Sequence, residues 1–187
     1  MPRIGMEPKR RAALMQATID EIGCVGSLDV TVARIARRAG MSPALAHHYY
    51  GSKEQMLLAA MRQVLRDYGA GVRAALKRAT GPRARLDAIV AASFGPEHFH
   101  PHVIAAWLNF YVLAQSNAGA ARLLRVYQAR LRSNLLAGLR PLVGERAEAQ
   151  AEALAALIDG AYLRAALSGM DAARARAMIE EHLPRAG

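Results

Sequence analysis

The segment Thr31–Tyr50, TVARIARRAGMSPALAHHYY, leaves the chain few alternatives. Val32, Ile35, Ala36 and Ala39 fall on one helical face while Arg34, Arg37 and Arg38 fall on the other, which specifies a short amphipathic helix. Gly40 supplies the backbone freedom of a tight turn. Ser42 before Pro43 starts a second helix: a hydroxyl caps free N–H groups, and proline's fixed φ and missing N–H suit the first helical position. Gly51-Ser52 halts that helix after about two turns, and Ser52 with Gln55 three residues on forms a capping box for a third. The pattern is a helix-turn-helix; from spacing alone, the alternative is a plain helical hairpin in which Gly40 serves only as a turn.

A short helix presented across a tight turn enters the roughly 12 Å major groove with its first residues toward base edges. Ser42, Pro43, Ala44, Leu45, His47 and Tyr49 are the candidate readers, with His48 beside them. Thr31 and Ser42 at helix starts, and Lys53 just beyond, are candidate phosphate contacts that position rather than specify, and Arg34 on the charged face joins them. Lys9-Arg10-Arg11 precede a helix built on Leu14, Met15, Ile19, Ile22 and Val25. That basic start suits phosphates or a minor groove, as flexible arms do, or is simply solvated.

The remainder reads as helix throughout. The helix opened by Ser52 places Met56, Leu57, Ala60, Met61, Val64, Leu65 and Tyr68 inward and continues to about Ala79, with Gly69 and Gly71 weakening its middle. Gly81-Pro82 and Gly95-Pro96 bracket a helix from about Arg83 to Phe94. Further helices are expected over Pro101–Gln115, Ala120–Leu139 with Pro141 and Gly144 ending it, Glu145–Ser168, and from Asp171 to Leu183-Pro184. The helix over Glu145–Ser168 is apolar nearly all round after Ala153, apart from Asp159, Gly160 and Arg164, so it needs cover on two sides. In a chain of 187 residues the second cover is another copy of the same helix, which predicts a homodimer through a four-helix bundle. The fold class is therefore all-α, with a DNA-binding domain over residues 1–68 and a ligand-binding, dimerising body over residues 69–187.

The aromatic residues are few, 3 Phe, 6 Tyr and 1 Trp, and Trp107, Phe110 and Tyr111 crowd one helix. Ring faces attract quaternary ammonium ions at about 0.5–2 kcal/mol each. Phe94, Tyr127 and Tyr162 are candidates to complete a cage, with Asp159 or Glu97 as counter-charge; the alternative is plain core. His98, His100 and His102 alternate in a loop and invite a metal reading, but no second cluster of Cys, Asp or Glu at ligand spacing completes such a site.

Net charge +10 implies a polyanionic partner such as double-stranded DNA or an anionic membrane surface. One cysteine, Cys24, excludes a disulfide framework, and the stretch His102–Ala121 is too polar, with Asn109, Gln115, Ser116 and Asn117, to span a bilayer. A cytoplasmic location is expected. Ser93, Ser116 and Ser168 lie in no nucleophile-elbow context and no phosphate loop is present, so neither an enzyme nor a cofactor is expected.

Thr31, Ile35, Ala36, Gly40, Ser42, Tyr50 and Lys53 sit at a spacing that resembles the TetR-family DNA-binding domain. MPRIGMEPKRR, IARRAG, the His48-Tyr49 pair, AWLNF, RLRSNLL and LIDGAYLRAALSG resemble the choline-responsive repressors of the glycine betaine pathway, the BetI subgroup. The chain departs from that subgroup with Ala44 for glycine, His47 for serine, Tyr50 for phenylalanine and Tyr162 for tryptophan. The resemblance implies a dimeric repressor of choline-to-betaine genes on a pseudo-palindromic operator, induced by choline bound in the aromatic cage. The alternative is a TetR-family regulator of other genes sensing a different small ligand, such as another cation.

Overall fold

The computed structural model describes residues 6–184. The first five residues of the MPRIGMEPKRR motif lie outside that range. Nine α-helices follow in order among the described residues: α1 (Met6–Val25), α2 (Val32–Arg38), α3 (Pro43–Tyr50), α4 (Lys53–Arg78), α5 (Pro82–Ser93), α6 (Pro101–Ser116), α7 (Ala118–Val143), α8 (Ala147–Ser168) and α9 (Ala172–Glu180). No helix among them is long and apolar enough to cross a membrane.

Side-chain capping sets most of the helix starts. Thr31, Ser42, Ser52, Asn117 and Asp171 each accept a backbone N–H from three residues on, at the starts of α2, α3, α4, α7 and α9. Gly40 turns between α2 and α3 at φ +67°, a conformation that a side chain resists. Ile35, Ala36 and Ala46 are fully buried, and with Leu14, Val30 and Met56 they hold the two short helices, α2 and α3, to α1 and α4.

Three boundaries differ from the sequence expectation. Pro141 lies inside α7, which ends only at Gly144, where φ is +57°. Proline there removes one bond to the Ala137 carbonyl, but Ala137 and Pro141 are both exposed, so that carbonyl is not left buried without a partner. The basic Lys9-Arg10-Arg11 run is not a flexible arm: it lies within α1, where Arg11 pairs with Glu7 (2.9 Å) and donates to the Tyr49 carbonyl (2.9 Å). The last helix stops at Glu180, and His182 and Leu183 close a tighter turn on Ile179 and Glu180.

The reader touches the body along two paths. The end of α1 packs on α6, close enough that Gly23 has no room for a methyl beside the His102 ring, and Asn109 donates to the Gly26 carbonyl (3.2 Å). The second path is α4, which leaves the reader, runs without a break past Gly69 and Gly71, and packs on α5, α6 and α7. At its first turn Glu54 accepts a bond from Asn117, the cap of α7.

Candidate functional site

Two faces carry chemistry, one at each end of these paths. On the reader, Thr31, Arg34, Ser42, Pro43, Ala44, His47 and His48 are exposed, whereas Leu45, Tyr49 and Lys53 are half-buried. The hydroxyls of Thr31 and Ser42 accept the N–H groups of Arg34 and Leu45 (both 3.2 Å), so each caps its helix. His47 Nδ1 lies 3.0 Å from the Gly51 carbonyl. A carbonyl only accepts, so Nδ1 is the donor and Nε2 is left free of that bond on an exposed side chain. Tyr49 is drawn inward: its ring lies 5.2 Å from the Arg11 guanidinium and 5.6 Å from His48.

The charged face of α2 is less free than its sequence implies. Glu21 of α1, only 5 % exposed, accepts from Arg34 Nε (3.0 Å) and Arg38 Nε (2.6 Å). The Arg38 bond is the main reason the Glu21 carboxyl is held below its usual pKa. Arg34 is thus oriented by a buried carboxylate, a contact the sequence reading missed because it joins residues across the α1–α2 turn.

The body holds a connected group of rings. Trp107 lies 4.7 Å from Tyr127, 5.8 Å from Tyr111 and 6.4 Å from Tyr162, centroid to centroid. Tyr162 continues to Phe94 (6.0 Å) and Phe99 (5.1 Å). The sequence reading did not assign Phe99, Tyr68 or His98 to this group. Tyr68 meets Tyr127 at 5.8 Å and His98 at 5.6 Å, both near edge-on. Phe110 is fully buried, and its one aromatic neighbour among the described residues is Trp107, at 6.1 Å.

Polar tips hold the rings in place. The Tyr162 hydroxyl donates to the Ser93 carbonyl (2.6 Å), and Tyr68 bonds to Ser93 Oγ (3.0 Å). The Tyr111 hydroxyl donates to Asp159 Oδ1 (2.9 Å). Burial pushes the Asp159 carboxyl above its ordinary pKa, with the Tyr111 bond working against that, and burial first and Asp159 second raise Tyr111. No basic side chain pairs with Asp159 among the described residues. Arg132, which lines a groove that Asp159 also lines, is taken by Glu148. That groove, about 770 Å³ between α7 and α8, has Tyr127 and Asp159 in its lining. Glu97, the other candidate counter-charge, is exposed on the loop.

Of the three histidines, His98 parts from the other two, whose rings lie 5.1 Å apart. His98 is buried against Tyr68, and burial lowers its pKa; His100 caps α6; His102 lies on α6 with Nδ1 3.4 Å from Asp20. Among the described residues no group of three or more His, Cys, Asp and Glu side chains is placed to hold a metal ion.

Residues 14–60 match the bacterial regulatory proteins of the tetR family, and residues 82–186 match the BetI-type transcriptional repressor C-terminal family. The HTH-type transcriptional regulator BetI of Brucella suis biovar 1 (strain 1330) is 50 % identical over 186 residues, covering 98 % of this chain and 94 % of the relative. Among solved structures, a transcriptional regulator from Pseudomonas aeruginosa PAO1 superposes with a TM-score of 0.81 at 28 % identity, over 96 % of this chain and 90 % of that one. A regulator from Saccharomonospora viridis, solved in complex with choline, superposes with a TM-score of 0.80 over 93 % of this chain and 95 % of that one. At 21 % identity the second likeness is one of fold.

Proposed function

The chain belongs to the TetR family of bacterial regulatory proteins and, within it, to the BetI-type repressors, and on that premise we propose that it represses choline-to-betaine genes until choline occupies its aromatic group. It is a DNA-binding repressor and not an enzyme. The observation that carries the choline reading is Asp159, a half-buried carboxylate among aromatic rings with no basic partner among the described residues. A quaternary ammonium has no N–H to donate. It is recognised by ring faces and by net charge, which are what Trp107, Tyr111, Tyr127, Tyr162 and Asp159 supply. Phe94 and Phe99 buttress Tyr162, and Phe110 buttresses Trp107. The choline complex of the Saccharomonospora viridis regulator, which shares this fold, supports the same class of ligand.

The reading also requires a dimer. Ala149, Ala153, Ala156, Gly160, Leu163 and Leu167 fall at alternating spacings of four and three along α8, the seam of a helix pair. Leu163 and Leu167 are 47 % and 76 % exposed, and a methyl placed on Gly160 would meet nothing within 4 Å. A second copy covers that seam and sets two α3 helices about 34 Å apart, or a multiple of it, on a pseudo-palindrome. The division between reader and body falls near Tyr68, within α4, so one rigid helix belongs to both. Choline at Tyr127 displaces α7 from Tyr68 of α4, and the tilt of α4 takes the two α3 helices off their spacing.

The test is a gel shift on the DNA upstream of the chain's own gene, with excess non-specific competitor, titrated with choline. A competitor-resistant band lost as choline rises supports the reading. A resistant band indifferent to choline retains the repressor and removes the ligand, leaving a different small cation as the alternative.

A further inference from the structure

A second groove runs along the other flank of α7, between it and α4, with a volume of about 580 Å³, within the range of small-molecule sites. Its character is opposite to that of the Asp159 groove. Arg62, Arg66 and Arg73 of α4 and Arg130 of α7 line it, and none of its lining residues is acidic. None of the four arginines is paired with a carboxylate among the described residues. Between them lies an apolar floor of Leu65, Val72, Leu123, Val126 and Leu131, in which Val126 is 43 % exposed.

Exposed arginines alone signify solvated charge, and exposed valine alone signifies little. Together they describe one kind of occupant. Guanidinium groups pair with a carboxylate through parallel hydrogen bonds, and an apolar floor rewards hydrocarbon. Arg62 and Arg73 stand eleven residues apart on one helix, about 16 Å along its axis. The groove is therefore long enough for an extended chain with its head group at an arginine.

We propose that the α4–α7 groove is a binding site for a medium-chain fatty acid anion, separate from the cation site. Tyr68 and Tyr127 form the partition: both line this groove, and their rings meet at 5.8 Å within the aromatic group. The anion lies on one side of α7 and the cation on the other. The charges of the two walls keep each ligand to its own side, because Asp159 repels a carboxylate and the four arginines repel an ammonium.

The probe is decanoate, kept below its micelle concentration and titrated calorimetrically into the full-length protein, with decanol and acetate as comparators. Saturable binding of decanoate, at one per chain, exceeds that of either comparator, because each supplies only half of the recognition. The double variant Arg66→Gln/Arg130→Gln weakens decanoate binding by about tenfold or more. Arg122→Gln, an exposed α7 arginine outside the groove, leaves it unchanged. Val126→Glu, which places an acid on the floor at an exposed position that folding tolerates, abolishes binding. Asp159→Asn retains saturable decanoate binding, because Asp159 does not line the α4–α7 groove. Equal binding of decanol and decanoate, unchanged affinity in the double variant, loss of binding in Asp159→Asn, or no saturable binding at all would overturn the proposal.

Discussion

Replacing Asp159 by asparagine tests the cation site with almost no change of shape, since the amide oxygen still accepts the bond from Tyr111. A trimethylated nitrogen cannot approach a carboxylate as closely as an N–H group, so a separation of about 5 Å is the relevant one. At an effective dielectric of about 20 the attraction there is about 3 kcal/mol. Desolvation of the ammonium offsets part of it, leaving roughly 1.5–3 kcal/mol, or a ten- to hundredfold loss of choline affinity by calorimetry. Stability moves the other way. Burial raises the Asp159 pKa, so the folded state holds that proton more tightly than the unfolded one, and stability falls as pH rises from the ordinary carboxylate range through the raised value. Asparagine has no charge to bury. Without ligand the variant therefore melts at or above the wild-type Tm at neutral pH, and the rise in Tm that choline gives the wild type is lost. Choline affinity within twofold of wild type, or a ligand-free Tm several degrees lower, would refute the reasoning.

Four further outcomes are expected. Gly138→Ala lowers stability by about 1–3 kcal/mol in denaturant titration despite alanine's better helix propensity, because the added methyl would meet Leu86 at 2.7 Å and the Pro82 carbonyl at 3.1 Å. Leu163→Asp/Leu167→Asp leaves each chain folded by circular dichroism but halves the mass in light scattering and abolishes operator binding. Glu21→Gln releases Arg34 and Arg38 toward phosphate, so the log–log salt dependence of DNA binding steepens by up to about 2 while preference for the operator over random DNA narrows. Ser42→Ala removes the α3 cap and lowers Tm through a loss of about 1 kcal/mol, with operator affinity falling as well.

Local signals were legible in the sequence because their causes are local. Ser42-Pro43, Ser52, Gly81-Pro82 and Asp171 stop or start helices through their own side chains and backbone, and the structure places helix ends at each. Pro141 was misread for the same reason: proline is a local breaker, but at an exposed last turn the lost bond costs little. The aromatic site was half legible. Asp159 stood out as an acid in an apolar helix, and Trp107 and Tyr111 as ring density. Tyr68 arrives from α4 through the packing of α4 on α7, and Phe99 arrives from the loop before α6 through its contacts with Phe94 and with Tyr162 of α8. Glu21 carried no sequence signal, since an acid on the first helix looks solvated until α2 folds back and covers it.

Trp107 is the only tryptophan in the chain, and it stands inside the proposed choline site. The most direct test titrates choline into the protein bound to a fluorescently labelled operator, following Trp107 emission and operator anisotropy in the same sample. If choline binds among these rings and thereby releases DNA, Trp107 emission changes saturably and anisotropy falls over the same range of choline, with Asp159→Asn shifting both curves together. Release of the operator with no change at Trp107, or a saturated Trp107 signal with the operator still held, would contradict the link between the aromatic site and the reader.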